Sequence, residues 1–251
     1  MSLLRFIKAN PIATCLLLVA VASAVFLLFP GIDLWFSDLF YRSRGGFWLR
    51  RNAILVFLRG TNDVLIAAVV VGLIASIVVK LARPEKPSPV PPSSTVFLLS
   101  TLILGPLLLV NVILKNTWGR PRPVAVDAYG GDAPYVEVWR ITGWCDDNCS
   151  FVSGEASSGI WFVAVAMALP KAIRTPAIVV AVLYALLLSL NRIAFGGHFL
   201  SDVVISFGLT LLLIAVMHRA AIERPPKWLT NETLEAGLTR LGRSMRGDPA
   251  A

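Results

Sequence analysis

Six apolar runs dominate the chain: Ile12–Phe29, Val64–Val79, Thr95–Leu114, Ser153–Leu169, Pro176–Phe195 and Phe199–Met217. A helix that crosses a bilayer needs roughly 20 apolar residues, with about 17 as the lower end. The first, third, fifth and sixth runs meet that length or approach it. The second and fourth are short and need polar residues at their outer ends to complete them. The pattern predicts an all-α, polytopic integral membrane protein with six transmembrane helices. Composition agrees: 56% of residues are hydrophobic and only 15% charged, a balance foreign to soluble domains.

Arg5 and Lys8 precede the first run, and Ala22-Ser23-Ala24 within it has the small-residue character of a signal-peptidase site. The run continues past that point and exceeds a usual signal core, so it reads as an uncleaved helix. The Lys and Arg distribution then sets the topology. The N-terminus, Lys80–Lys86, Pro170–Thr175 and the tail after His218 are basic and lie inside. Pro30–Asp63, Lys115–Val152 and a Gly196-Gly197 turn lie outside. Arg42, Arg44, Arg50, Arg51 and Arg59 in the first outside segment break the rule. They read either as headgroup snorkelling from an interfacial helix or as a cationic rim for anionic lipid. The net charge of +8 calls for no nucleic acid, because no basic patch is interleaved with aromatics.

Three divisions follow: residues 1–60, an N-terminal span and an outer interfacial helix; 61–219, the core; and 220–251, a basic cytoplasmic tail. Arg83–Ser94 is rich in proline and reads as an extended linker. Asp33–Tyr41 places Leu34, Trp35, Leu39 and Phe40 on one face, as an interfacial helix requires. In the tail, Leu234–Leu241 has amphipathic spacing, followed by a disordered end. Cys145 and Cys149 are candidates for a disulfide on an oxidising side. Zinc is the weaker alternative, because further nitrogen or sulfur ligands are not nearby. Cys15, mid-helix, reads as packing.

Against this apolar background a few polar residues fall at helix ends, where charge is costly. Lys115 closes the third run, and Gly119, Pro121 and Pro123 break the helix beyond it, so Arg122 can fold back towards Lys115. Two such cations suit phosphate oxygens, although both could simply snorkel. Ser153-Gly154 opens the fourth run as an N-cap with free N–H groups beyond it, ready for an anion or plain capping. Arg192 and His198 flank two glycines, and Asp202 follows His198 by one helical turn.

Together these residues resemble the type 2 phosphatidic acid phosphatase (PAP2) superfamily of membrane lipid phosphatases. Its first motif, Lys, six residues, Arg-Pro, is complete in Lys115–Pro123 (KNTWGRPRP). Its second, Pro-Ser-Gly-His, survives at Ser153 and Gly154 of VSGE. Its third, Ser-Arg, five residues, His, three residues, Asp, is met at Arg192, His198 and Asp202. The resemblance covers about residues 60–217. It implies nucleophilic attack by His198 Nε2 on phosphorus and a phosphohistidine, with Asp202 orienting the ring from Nδ1. It also implies that Lys115, Arg122, Arg192 and the Ser153-Gly154 amides hold the phosphate, with no metal and no cofactor. The partner is a lipid phosphate in the membrane.

One part of the family site is changed. Glu155 stands where the second motif has its proton-donating His. His218, the only other histidine, lies 20 residues beyond His198 and about 30 Å away along the helix. Glu155 is thus either the general acid or a structural partner for an arginine, and neighbouring cations favour its charged form. Cys149–Ser158 (CSFVSGEASS) resembles bacterial lipid A phosphatases, including the type that removes the 4′ phosphate. That implies a multi-pass protein of the inner membrane with its site facing the periplasm. Phosphatidylglycerophosphate and undecaprenyl pyrophosphate are the alternative substrates. A catalytically silent lipid-binding protein is the alternative class.

Overall fold

A computed structural model describes residues 9–247. Among them helices predominate, with a long, largely irregular segment over residues 118–153. Helices α1 (Pro11–Leu28), α3 (Ala53–Ala82), α4 (Pro92–Thr117), α6 (Lys171–Ala194) and α7 (Leu200–Glu223) are each long and apolar enough to cross a membrane. A shorter apolar helix, α5 (Gly154–Ala168), completes the six. Two more helices lie outside the spans, α2 (Gly31–Asp38) and α8 (Asn231–Met245). A two-residue hairpin, β1 (Tyr41–Arg42) with β2 (Gly46–Phe47), follows α2.

Local chemistry starts the helices. Pro11 and Pro92 sit in the first turns of α1 and α4, where a missing N–H costs nothing. Asn52 caps α3 by accepting from the amides of Ile54 and Leu55, and Ser153 caps α5 by accepting from Ala156. The Asn52 cap corrects one expectation. Residues 53–63 are the first three turns of α3 rather than part of an outside loop. A tail helix is present as expected, but it runs from Asn231 to Met245.

The 15-residue α5 rises about 22 Å, less than a hydrocarbon core of about 30 Å. It stands instead inside the bundle, against α4, α6 and α7. Small residues allow the close approach: a Cβ on Gly159 would meet Ala185 Cα at 3.3 Å. At the α1–α7 contact, a Cβ on Gly208 would lie 2.6 Å from Val19 Cγ2. The outer helices turn Leu17, Phe57, Val64, Ile103 and Leu183 outward, as lipid-facing surfaces do.

Helix α4 widens to a π-helical winding over Ile103–Leu114, around Pro106. Such windings recur at functional sites. Asn111 Nδ2 donates to the Pro106 carbonyl at 2.8 Å.

The proline-rich linker is pinned rather than free. Ser88 donates to Glu235 of α8 through both its amide (2.8 Å) and its hydroxyl (2.7 Å), and Val90 N–H donates to Ser76 Oγ.

Candidate active site

His198 sits in the turn between α6 and α7 and is fully buried. Its Nδ1 lies 2.8 Å from the Ser150 carbonyl oxygen. A carbonyl can only accept, so Nδ1 carries a proton, and Nε2 is the ring atom that faces Glu155. Nε2 has no hydrogen-bond partner.

Asp202 was expected to orient the ring from Nδ1, but it lies 3.8 Å from that atom. Its carboxylate accepts from Ser150 Oγ at 2.5 Å, the Phe199 amide at 2.9 Å and Arg120 Nη1 at 2.5 Å. It therefore holds the ring at one remove, by fixing the residue whose carbonyl takes the imidazole proton.

Arg120 is the hub of this buried network. It donates to Asp202, to Asp33 Oδ2 at 2.8 Å, to Ser201 Oγ at 2.9 Å and to the Val136 carbonyl at 2.8 Å. Arg120, Asp33 and Asp202 have no exposed surface. Burial disfavours the Arg120 charge, but Asp202 and Asp33 outweigh it and hold its pKa above the usual arginine value. Asp33 also accepts from the Ser201 amide and hydroxyl and from Tyr135. Helix α2 is thereby tied to the start of α7.

In front of His198 stands Glu155, at the first turn of α5. Its Oε2 lies 3.6 Å from His198 Nε2. Its Oε1 pairs with Arg59 Nη2 at 3.0 Å and lies 3.1 Å from Arg192 Nε. The latter N–H is not aimed at the oxygen, so Arg192 Nε stays unpartnered by hydrogen bonds although buried. Lys115 lies beside the α5 N-terminus. A Cβ on Gly154 would fall 2.8 Å from Lys115 Nζ and 2.7 Å from Asn111 Oδ1, so the glycine leaves room for both groups against the helix end. Arg122 reaches across the mouth to the Asn148 carbonyl through Nε (3.0 Å) and Nη2 (2.7 Å). Burial, and repulsion from Arg59, push its pKa below the usual value, against the pull of Glu155.

Arg59, Lys115, Arg122, Gly154 and Glu155 line one side of a cleft of about 450 Å³, with Asn111, Pro106 and Leu107 of the π-helical stretch on the other; His198 and Arg192 stand behind Glu155. Lysine, two arginines and a helix N-terminus facing one cleft make a receptor for a phosphate group. Apolar walls beside it suit a lipid.

The sequence-derived set is thus brought together: Lys115, Arg122, Ser153, Gly154, Glu155, Arg192, His198 and Asp202 all lie around the cleft or directly behind it. Cys145 and Cys149 are joined in a disulfide. His218 is at the other end of α7, 3.2 Å from Glu223. Four residues were missed. Arg59 was assigned to the rim, yet Arg59, Asn62, Asp63 and Ile66 form a stripe at helical spacing that faces the cleft. Arg120-Pro121 stood inside the first motif, one dipeptide before Arg122-Pro123. Asp33 was a lone acid in an apolar interfacial stretch, a signal in itself. Ser150 acts through its backbone carbonyl, which no side-chain pattern reveals.

A model of the PAP2 superfamily matches residues 94–225. The chain is 35% identical over 215 residues to the lipid A 4′-phosphatase of Rhizobium leguminosarum, covering 77% of this chain and 89% of that one. It is 36% identical over 217 residues to that of Rhizobium etli, covering 77% and 80%. It is 34% identical over 185 residues to that of Francisella tularensis subsp. novicida, covering 71% and 81%. No solved structure matches the chain.

Proposed function

Because this chain belongs to the PAP2 superfamily, we propose that it is a lipid phosphatase that removes the 4′ phosphate of lipid A at the periplasmic face of the inner membrane. The relatives' activity supports the choice of lipid. The observation that carries the chemistry is the fixed ring of His198: Nδ1–H held by Ser150, and Nε2 without a hydrogen-bond partner and turned towards Glu155.

The lipid phosphate enters the cleft and displaces the Glu155 carboxylate from Arg59 and Arg192. Lys115, Arg122, Arg192 and the N–H groups at the start of α5 take the non-bridging oxygens. They hold them as charge redistributes in the transition state. His198 Nε2 attacks phosphorus, the ester P–O bond breaks, and the sugar oxygen leaves. Negative phosphate beside it and the loss of its cation partners favour protonation of Glu155, which then gives that proton to the leaving oxygen. In the second step Glu155, again a carboxylate, takes a proton from water as the water attacks the phosphohistidine. Phosphate is released and His198 regenerated. Asp202 and Arg120 are positioning residues for the ring.

The test is phosphate release by the purified protein from lipid A bearing only the 4′ phosphate, only the 1 phosphate, or both. The expected result is release from the first and third and almost none from the second. Equal release from the first two would remove the 4′ assignment. Release only from phosphatidylglycerophosphate or undecaprenyl pyrophosphate would remove lipid A.

A further inference from the structure

The cleft in front of Glu155 carries a second chemistry besides its cations. Helices α3 and α4 both line it, and read from the cations inward they present the same order. On α3, Arg59 is followed by Asn62 and Asp63, then by Ile66. On α4, Lys115 is followed by Asn111, then by Leu107. Each step is about one helical turn. A layer of carboxylate and amide groups thus lies between the cations and the apolar walls.

This middle layer holds acceptors that have nothing to accept. Asp63 is exposed and lines the cleft. Among the described residues, no hydrogen bond or ion pair reaches its carboxylate. Asn62 is buried; its Nδ2 donates to Ser158 Oγ at 2.8 Å, and its Oδ1 has no partner. Asn111 uses its Nδ2 on the Pro106 carbonyl, and among the described residues no donor reaches its Oδ1.

An unpaired carboxylate is costly in a cleft that takes an anion. It repels the incoming phosphate, and a charge on a membrane-spanning helix needs a reason. Donors on the ligand supply one. Asp63 lies about 6 Å further along α3 than Arg59. A sugar headgroup with amide-linked acyl chains, as in lipid A, carries O–H and N–H groups between its phosphate and its chains. Phosphatidic acid offers only ester oxygens at that depth, and a polyprenyl pyrophosphate only hydrocarbon. A layer of acceptors disfavours both, because its polar groups would stay unmet.

We propose that Asp63, supported by Asn62 and Asn111, is the specificity-determining group of the cleft, accepting hydrogen bonds from the hydroxyl and amide N–H groups of a sugar headgroup. The inference rests on the phosphatase reading above and deepens it, by assigning the choice of lipid to residues that do not hold the phosphate.

The test compares wild-type protein, Asp63→Ala and Asp63→Asn on lipid A whose only phosphate is the 4′ one, with inorganic phosphate as inhibitor. The expected result for Asp63→Ala is a fall of about tenfold or more in kcat/KM, carried by KM, as for the loss of a hydrogen bond to a charged group. Asp63→Asn keeps one acceptor oxygen and should lose less, about threefold. Inhibition by inorganic phosphate should be unchanged or tighter in both variants, since a negative charge has left the cleft. An unchanged KM in Asp63→Ala, or a fall carried by kcat alone, overturns the proposal. Phosphate inhibition that weakens in step with the rise in KM also overturns it, because Asp63 then acts through the phosphate site. Wild-type protein active on phosphatidic acid but not on lipid A overturns the choice of lipid, and this inference with it. Wild-type protein inactive on both overturns the phosphatase reading itself.

Discussion

The Glu155 carboxylate stands between the nucleophile and its cations, with Oε2 3.6 Å from His198 Nε2 and Oε1 3.0 Å from Arg59 Nη2. In the resting site it occupies the place a phosphoryl oxygen must take. Two roles follow, occupant of the empty site and proton carrier, and they separate by substitution. Glu155→Gln keeps the shape but neither the charge nor the proton transfer, and should lower kcat by about 10²–10⁴-fold. Glu155→His restores a titratable group and should recover part of that loss. A Glu155→Gln enzyme with wild-type kcat would leave Glu155 as an ion-pair partner alone.

Arg120 joins two buried carboxylates from distant parts of the chain. Arg120→Ala leaves Asp33 and Asp202 facing each other without a counter-charge. Breaking a buried pair this way costs about 3–5 kcal/mol. Thermal unfolding in detergent should show a large fall for Arg120→Ala. Asp33→Asn, which keeps the shape while removing one charge, should fall less. Unchanged unfolding of Arg120→Ala would show that the network contributes little to the fold.

Arg122 is held by Asn148, which lies inside the ring closed by Cys145 and Cys149. Reduction, or Cys145→Ser with Cys149→Ser, should free that segment and loosen Arg122. The expected effect is a several-fold rise in KM with kcat little changed, since one charge-assisted contact is weakened rather than lost. An unchanged KM after verified reduction would uncouple the disulfide from the cleft.

At the other end of the molecule, Glu235 of α8 is pushed up by burial. Donors from Lys80 and Ser88 outweigh this and hold its carboxyl below the usual value. A lowered folded-state pKa stabilises the docked helix above the unfolded value and loses that contribution as pH falls through the folded one. Protease cleavage within α8 should therefore accelerate below about pH 4, and Glu235→Gln should weaken the pH dependence, leaving the part carried by Glu85 and Arg243, and loosen α8 at neutral pH. Flat protection across that range in wild type would separate Glu235 from the docking.

Much of this was legible in the sequence, for physical reasons. Apolar runs give spans because lipid demands them. Charges at helix ends give the site because they are costly there without a ligand. Three features were hidden. The start of α3 was masked by Arg59, Asn62 and Asp63, polar residues that face the cleft rather than lipid. The role of Asp202 depends on Ser150, a backbone carbonyl 48 residues before His198. The salt bridge of Arg120 to Asp33 crosses 87 residues of chain, and only the fold brings them together.

The central claim is that His198 Nε2 becomes phosphorylated. Lipid A labelled with radioactive phosphate at the 4′ position, mixed with the enzyme and quenched in alkali within the first turnover, tests it directly. The account predicts label on the protein, stable to alkali and released by acid, located at His198 and absent from His198→Ala. Rapid release of labelled phosphate with no protein-bound label at any quench time, from an enzyme still active as His198→Ala, would contradict it.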